Sequence, residues 1–116
     1  MDVLVNSLLN VNDEIHETTV EGKLENNKLK FNDDYENIFD IEKLVLERRS
    51  LEIHSYFDFD KSKITYYVKQ LDNNLIIDMK VININKNENE IEIDYYTYIN
   101  EEKSKCKYTI SWRKLW

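Results

Sequence analysis

Residues 90–99, EIEIDYYTYI, place Ile91, Ile93, Tyr95, Thr97 and Ile99 in strict alternation with Glu90, Glu92, Asp94, Tyr96 and Tyr98. Successive side chains of a strand point to opposite faces of its sheet, so a period of two predicts a strand with one buried and one wet face. Working outward, the same rhythm recurs on both sides. Towards the C-terminus, the turn Asn100-Glu101-Glu102-Lys103 leads to residues 104–113, where Cys106, Tyr108, Ile110 and Trp112 share the inner face. Towards the N-terminus, the KNEN turn at Lys86 to Asn89 is preceded by Leu75, Ile77, Met79 and Val81 and by the turn Asp72-Asn73-Asn74.

Further back, Ile64, Tyr66 and Val68 alternate with Lys63, Thr65, Tyr67 and Lys69. Leu51, Ile53, Ser55, Phe57 and Phe59 alternate with Glu52, His54, Tyr56 and Asp58. Residues 2–11 read as a first strand and residues 14–25 as a second, in which His16, Thr18, Val20 and Leu24 share a face and Gly22 marks a bend or bulge. Asn26-Asn27 reads as a hairpin turn before a short strand marked by Leu29 and Phe31.

The stretch FNDDYEN (31–37) reads as a loop, and Ile41 to Arg49 as a strand with Leu44 and Leu46 on one side. Residues 35–47 also carry a 3.6-residue pattern through Ile38, Ile41, Leu44 and Val45 that Asp34 or Asn37 could cap. Residues 33–45 therefore remain open between loop, strand and helix. The remainder predicts one antiparallel all-β domain over residues 1–116, with eight or nine consecutive strands. Such a meander exposes two edges unless it closes, so an up-and-down barrel is expected, with a two-sheet sandwich as the alternative.

Composition agrees with a folded core. Hydrophobic residues reach 41%, with two Trp, eight Tyr and four Phe, so the 34% of charged residues must lie mostly on outward faces. The chain has no proline and one glycine, which leaves its turns to Asn and Asp, residues that tolerate positive φ. A net charge of −7 opposes binding to a phosphate backbone, so nucleic acid is not an expected partner. Cys106 is the only cysteine and no apolar run nears the roughly 18 residues of a membrane-spanning helix, which predicts a cytoplasmic protein that does not engage a membrane.

The layout resembles the YwiB-like family of small bacterial calycin-type β-barrels, related in shape to lipocalins and without assigned function. The resemblance is carried by an N-terminal strand, a Glu-containing second strand ending in glycine (Glu17 to Gly22), a short Leu-x-Phe strand (Leu29 to Phe31), a central meander, and a closing pair (Ile91 to Tyr98, Lys105 to Trp112). Where such relatives often carry Arg-x-Gly, this chain has Arg48-Arg49-Ser50 or Ile53-His54-Ser55, and Asp72-Asn73-Asn74 replaces a Phe-Gly turn. The resemblance implies a barrel and, by analogy with calycins, a small apolar ligand.

No catalytic or cofactor motif stands out, and no enzyme activity is expected. Glu14-x-His16 and Glu52-x-His54 each put a carboxylate beside an imidazole, yet His54 falls on a solvent face and no third ligand stands at metal spacing. Cys106, on an inner face, reads as core rather than nucleophile. No serine stands in a nucleophile elbow, and one glycine cannot build a phosphate-cradling loop. Arg48-Arg49 could grip a carboxylate or phosphate, but reads first as surface pairing with Glu47 or Glu52.

Two candidate binding surfaces remain. Ser55, Phe57, Tyr66, Met79, Tyr95, Thr97, Tyr108 and Trp112 would line a barrel interior, with Phe59 packed among them and Gln70 as a further polar group. Outward Tyr56, Tyr67, Tyr96 and Tyr98 would make a protein interface or homodimer contact if strands 62–70 and 90–99 are neighbours. Terminal Leu115-Trp116 would add an exposed apolar element.

Overall fold

The computed structural model describes residues 1–115. Its ten strands are β1 (Asp2–Val11), β2 (Glu14–Glu25), β3 (Lys28–Asn32), β4 (Glu36–Asp40), β5 (Val45–Arg49), β6 (Ile53–Asp58), β7 (Lys63–Val68), β8 (Asn73–Asn87), β9 (Glu90–Ile99) and β10 (Glu102–Lys114). Each strand pairs antiparallel with the next, and β1 pairs with β10, so the sheet closes into an up-and-down barrel. Closure satisfies both edge ladders, which an open sheet of this length would leave bare.

The strand additional to those expected is β4, in the segment whose structure the sequence leaves open. It pairs with β3 and β5 in register Phe39↔Leu29 and Phe39↔Leu46, and residues 41–44 turn the chain between β4 and β5. Phe39 is fully buried, and burying it requires the extended form that puts it between Leu29 and Leu46. The helical reading is thereby overturned. Leu51, expected on an inner face, instead lies almost wholly exposed in the turn before β6, and Gln70 lies in an exposed 3₁₀ turn after β7.

Tight hairpins account for much of the connectivity. Asn12-Asp13, Asn26-Asn27 and Asn100-Glu101 all have positive φ at both positions, the mirror-image turn whose twist matches that of paired strands. Gly22 makes no bulge. It stands on the inner face between Val3 of β1 and Phe31 of β3, where a Cβ would lie 2.5 Å from the Lys30 carbonyl oxygen. Glycine there lets neighbouring strands approach closely.

The alternation read from the sequence decides what fills the barrel. Val3, Val5, Leu29, Phe39, Ile91, Ile93 and Ile110 are fully buried. Rings join this core, with Phe59 edge-on to Tyr95 at 5.4 Å and stacked on Tyr108 at 6.2 Å between centroids. One end carries the turns at 26–27, 41–44, 59–62 and 88–89. The other carries the turns at 12–13, 33–35, 50–52, 69–72 and 100–101, and towards that end the inner face becomes polar.

Candidate functional site

Register dictates the polar end. On β1 the inner face runs Val3, Val5, Ser7, Leu9, and pairing places Thr18 opposite Ser7 and His16 opposite Leu9 on β2. On β4 and β5, Phe39↔Leu46 is followed one step along the same face by Asn37↔Arg48, and Ser55 of β6 lies opposite Arg48. An arginine thus enters the barrel because it stands two residues after Leu46.

Around it lies a cavity of about 90 Å³ lined by Ser7, Leu9, His16, Thr18, Asp33, Asn37, Leu46, Arg48, Phe57, Phe59, Tyr95 and Tyr108. Leu46, Phe57 and Phe59 supply apolar wall; Ser7, Thr18 and Arg48 supply polar groups. Ser7 Oγ donates to Tyr108 Oη at 3.2 Å. His16 is at the rim, largely exposed, with Glu14 Oε1 3.7 Å from its Nε2.

Arg48 is held firmly. Its Nε donates to Asn37 Oδ1 at 3.0 Å, its guanidinium carbon lies 4.3 Å from the Tyr35 ring centroid, and its Nη2 reaches Asp33 Oδ2 at 3.4 Å. Asp33 belongs chiefly to its own turn, since Oδ1 accepts from the Tyr35 backbone N–H at 2.7 Å and from Asn37 Nδ2 at 2.9 Å. Asn37, only 3% exposed, therefore bridges the arginine and the aspartate.

The phenols are kept neutral. Burial pushes Tyr108 up to about 12, against smaller lowering effects of the Ser7 hydrogen bond and the Arg48 charge. Burial likewise raises Tyr66, with Arg48 opposing, and raises Tyr95 above the ordinary phenol range. Cys106 is buried and its thiol pushed up by that burial, partly offset by hydrogen bonds with Thr97 and Tyr95, so it lacks the thiolate character a nucleophile needs.

Of the eight residues expected to line an interior, all lie on the inner face, and Phe57, Tyr95 and Tyr108 reach the cavity. Ser55 is buried next to Arg48, with its hydroxyl 3.5 Å from the Arg48 carbonyl oxygen. Tyr66 stands opposite Ser55, and Met79 opposite Thr97, outside the cavity lining. Trp112 packs against the core opposite Val5, away from the cavity. Ser7, His16, Thr18, Asp33, Asn37 and Arg48 were not expected there, although strand parity points to four of them: Arg48 from Leu46, Ser7 from Leu9, and His16 and Thr18 from Val20.

The outer tyrosines form two groups. β8 lies between β7 and β9, and Asp78 and Lys80 stand opposite Tyr98 and Tyr96, dividing these from Tyr56 and Tyr67. The Tyr56 and His54 rings lie 4.6 Å apart between centroids and tilted by 34°, Tyr67 Oη donates to Asp72 at 2.9 Å, and Lys103 Nζ lies 4.0 Å from the Tyr96 ring centroid. Arg49 and His54 both bind Glu47 Oε1 at 3.0 Å, so Glu47 rather than Glu52 partners this histidine. Leu115 is half-buried, and Trp116 lies outside the described residues. Among the described residues, no three His, Cys, Asp or Glu side chains converge as a metal site.

Fold and site together define a closed β-barrel, filled at one end and carrying a small, arginine-walled cavity at the other. A solved structure, the YwiB protein from Bacillus subtilis, is similar over 99% of this chain and 92% of its own, with a TM-score of 0.65 and 14% sequence identity, a likeness of fold. No protein-family model matches the chain, and no curated protein does either. No helix among the described residues is long and apolar enough to cross a membrane.

Proposed function

We propose that the protein is a non-enzymatic, calycin-type binding barrel that takes a small, largely apolar ligand into the cavity at its polar end, and that it works in the cytoplasm. The observation that supports this reading most is the cavity itself, about 90 Å³ enclosed between Leu9, Leu46, Phe57 and Phe59 on apolar walls and Ser7, Thr18 and Arg48 on polar ones. Apolar walls with a few oriented polar groups are the usual make-up of a small-molecule site. Ordinary sites of that kind measure about 300–1,000 Å³, so the ligand is either only a few heavy atoms in size or inserts one end of a longer molecule.

A thermal-shift screen of small apolar and amphiphilic compounds, with light scattering in parallel, tests the proposal. A ligand that binds only the folded barrel raises its stability by about 2.7 kcal/mol at a hundredfold excess over Kd. The expected result is a reproducible rise that is lost when Phe57 is replaced by Trp to fill the cavity. No rise across the panel, together with a concentration-dependent dimer, would transfer the function to a contact through one of the two separate outer tyrosine groups, Tyr56 with Tyr67 or Tyr96 with Tyr98.

A further inference from the structure

We propose that the ligand of this cavity is an organic anion with a carboxylate head and a short apolar body, with the head bound by Arg48. The inference rests on reading the cavity as a ligand site and adds the chemistry of what enters it. Hydrogen-bonding capacity around the cavity is unequal. Arg48 brings five N–H donors and no acceptor, and only Nε–H is engaged at an ordinary distance, by Asn37 Oδ1 at 3.0 Å. The contact of Nη2 with Asp33 Oδ2 is 3.4 Å, well beyond the roughly 2.7–2.9 Å of a charge-assisted pair.

Asp33 is held back by its own turn. Oδ1 is saturated by the Tyr35 N–H and Asn37 Nδ2, which fixes the carboxylate where it cannot close a parallel, two-bond pair with the guanidinium. The remaining lining groups add donors. Thr18 carries a hydroxyl, and Tyr108, whose oxygen accepts the Ser7 proton, retains its own proton to give. A partly buried guanidinium that shares its cavity with the Thr18 and Tyr108 hydroxyls and is answered by one ill-placed carboxylate favours an incoming anion over a cation or a neutral amide. Leu9, Leu46, Phe57 and Phe59 then receive an apolar body rather than water.

Asn37 and Tyr35 complete the device by orienting the arginine before any ligand arrives. One edge of the guanidinium is fixed by Asn37 and one face by the Tyr35 ring, so its rotamer freedom is already lost. A carboxylate that binds Arg48 displaces the long Asp33 contact without breaking the bonds that hold the 33–35 turn.

Binding is measured by calorimetry with butyrate, hexanoate and benzoate, their amides, hexylamine and inorganic phosphate. Hexanoate or benzoate is expected to bind at least tenfold more tightly than its amide, hexylamine or phosphate. Arg48→Gln should abolish that preference, and Asp33→Asn, which removes the competing charge while leaving Arg48 in place, should tighten carboxylate binding severalfold. A role for Asp33 that is only structural would instead weaken it, and that result overturns the proposal. Amides binding as tightly as the acids would leave the cavity a ligand site but refute the anion head. Phosphate binding as tightly as hexanoate would refute the apolar body, and binding by none of the probes would refute both readings.

Discussion

Arg48 and Asn37 stand opposite each other inside the barrel, and the 3.0 Å bond from Arg48 Nε to Asn37 Oδ1 ties a charged group on β5 to a buried amide on β4. The same amide donates to Asp33 Oδ1 at 2.9 Å and to the Tyr35 carbonyl oxygen at 3.1 Å. Asn37→Leu keeps the branched shape and the number of side-chain heavy atoms but strips partners from a guanidinium, a carboxylate and a carbonyl at once. Hydrogen bonds to charged groups contribute about 1.5–3 kcal/mol, so the variant should lose about 3 kcal/mol of stability. In urea denaturation the midpoint should fall with the slope unchanged. An unmoved midpoint would show that water replaces the amide without loss.

Gly22 is predicted to be intolerant of even one carbon. In Gly22→Ala the new Cβ meets the Lys30 carbonyl oxygen at 2.5 Å, Phe31 Cβ at 3.1 Å and Val5 Cγ2 at 3.1 Å. The first obstacle is backbone in a paired strand, so relief requires β2 and β3 to separate. Overpacking of this kind typically costs about 1–3 kcal/mol, and the upper half of that range is expected because a ladder must shift. Thermal unfolding of the variant beside Glu21→Ala, an outward neighbour, checks it; equal melting temperatures would mean the strands yield freely.

How much of this was legible in the sequence depends on which interactions define each part. β9 and β10 are written in their own residues, because Ile91, Ile93, Tyr95, Tyr108 and Ile110 mark the inner face by alternation alone. β4 is not, since Asn32 to Asn37 is rich in turn formers and the strand exists through long-range pairing of Phe39 with Leu29 and Leu46. Arg48 shows two signals in conflict. Parity from Leu46 sends it inward, whereas the general tendency of arginine to stay solvated sends it out. Parity prevails because Asn37 and Tyr35 receive the guanidinium, and neither partner could be foreseen while their segment had no assigned structure. The outer tyrosines illustrate the converse: their outward faces were readable and a consecutive meander already places the 75–81 strand between them, whereas the facing of Tyr98 and Tyr96 by Asp78 and Lys80 is a matter of register.

The buried phenols predict alkaline destabilisation with a definite sign. Tyr108 is raised in the fold from 10.0 to about 12 by burial, so between those values the native state keeps a proton that the unfolded chain releases. Stability changes with pH in proportion to protons bound by the unfolded state minus those bound by the native state, a negative difference here. The contribution is fully present below pH 10 and is lost progressively up to about pH 12, about 3 kcal/mol in all. Tyr95, raised further by burial, extends the loss. Tyrosinate absorbance and unfolding should therefore coincide for these two rings. Ionisation of Tyr108 with an ordinary phenol midpoint while the fold persists would contradict its burial.

Cys106 offers an independent reporter of the same core. Its side chain is buried opposite Tyr95 and Val11, and burial pushes the thiol up. Reaction with an aromatic disulfide reagent should be at least a hundredfold slower in the native protein than in denaturant, since only the transiently opened barrel exposes a thiolate. Adding urea below the unfolding midpoint should accelerate labelling in step with the fraction opened. Rapid labelling without denaturant would mean that the β9–β10 side of the barrel opens locally.

The turn between β9 and β10 should be improvable. Asn100 and Glu101 have φ of 50° and 67°, so both central residues occupy the left-handed region. Asn tolerates it, but for a residue such as Glu the crowding of Cβ against the following carbonyl costs about 1–2 kcal/mol. Glycine removes that cost and produces Asn-Gly, the preferred pair for this hairpin, although the unfolded chain gains about 0.4–1 kcal/mol of conformational freedom in return. Glu101→Gly should therefore stabilise the barrel by up to about 1 kcal/mol, raising the denaturation midpoint. Because Glu101 is exposed and outside the cavity lining, carboxylate affinity should be unchanged. A lowered midpoint would show that the strain is relieved elsewhere in the hairpin, and a changed affinity would show that the β9–β10 turn communicates with the cavity.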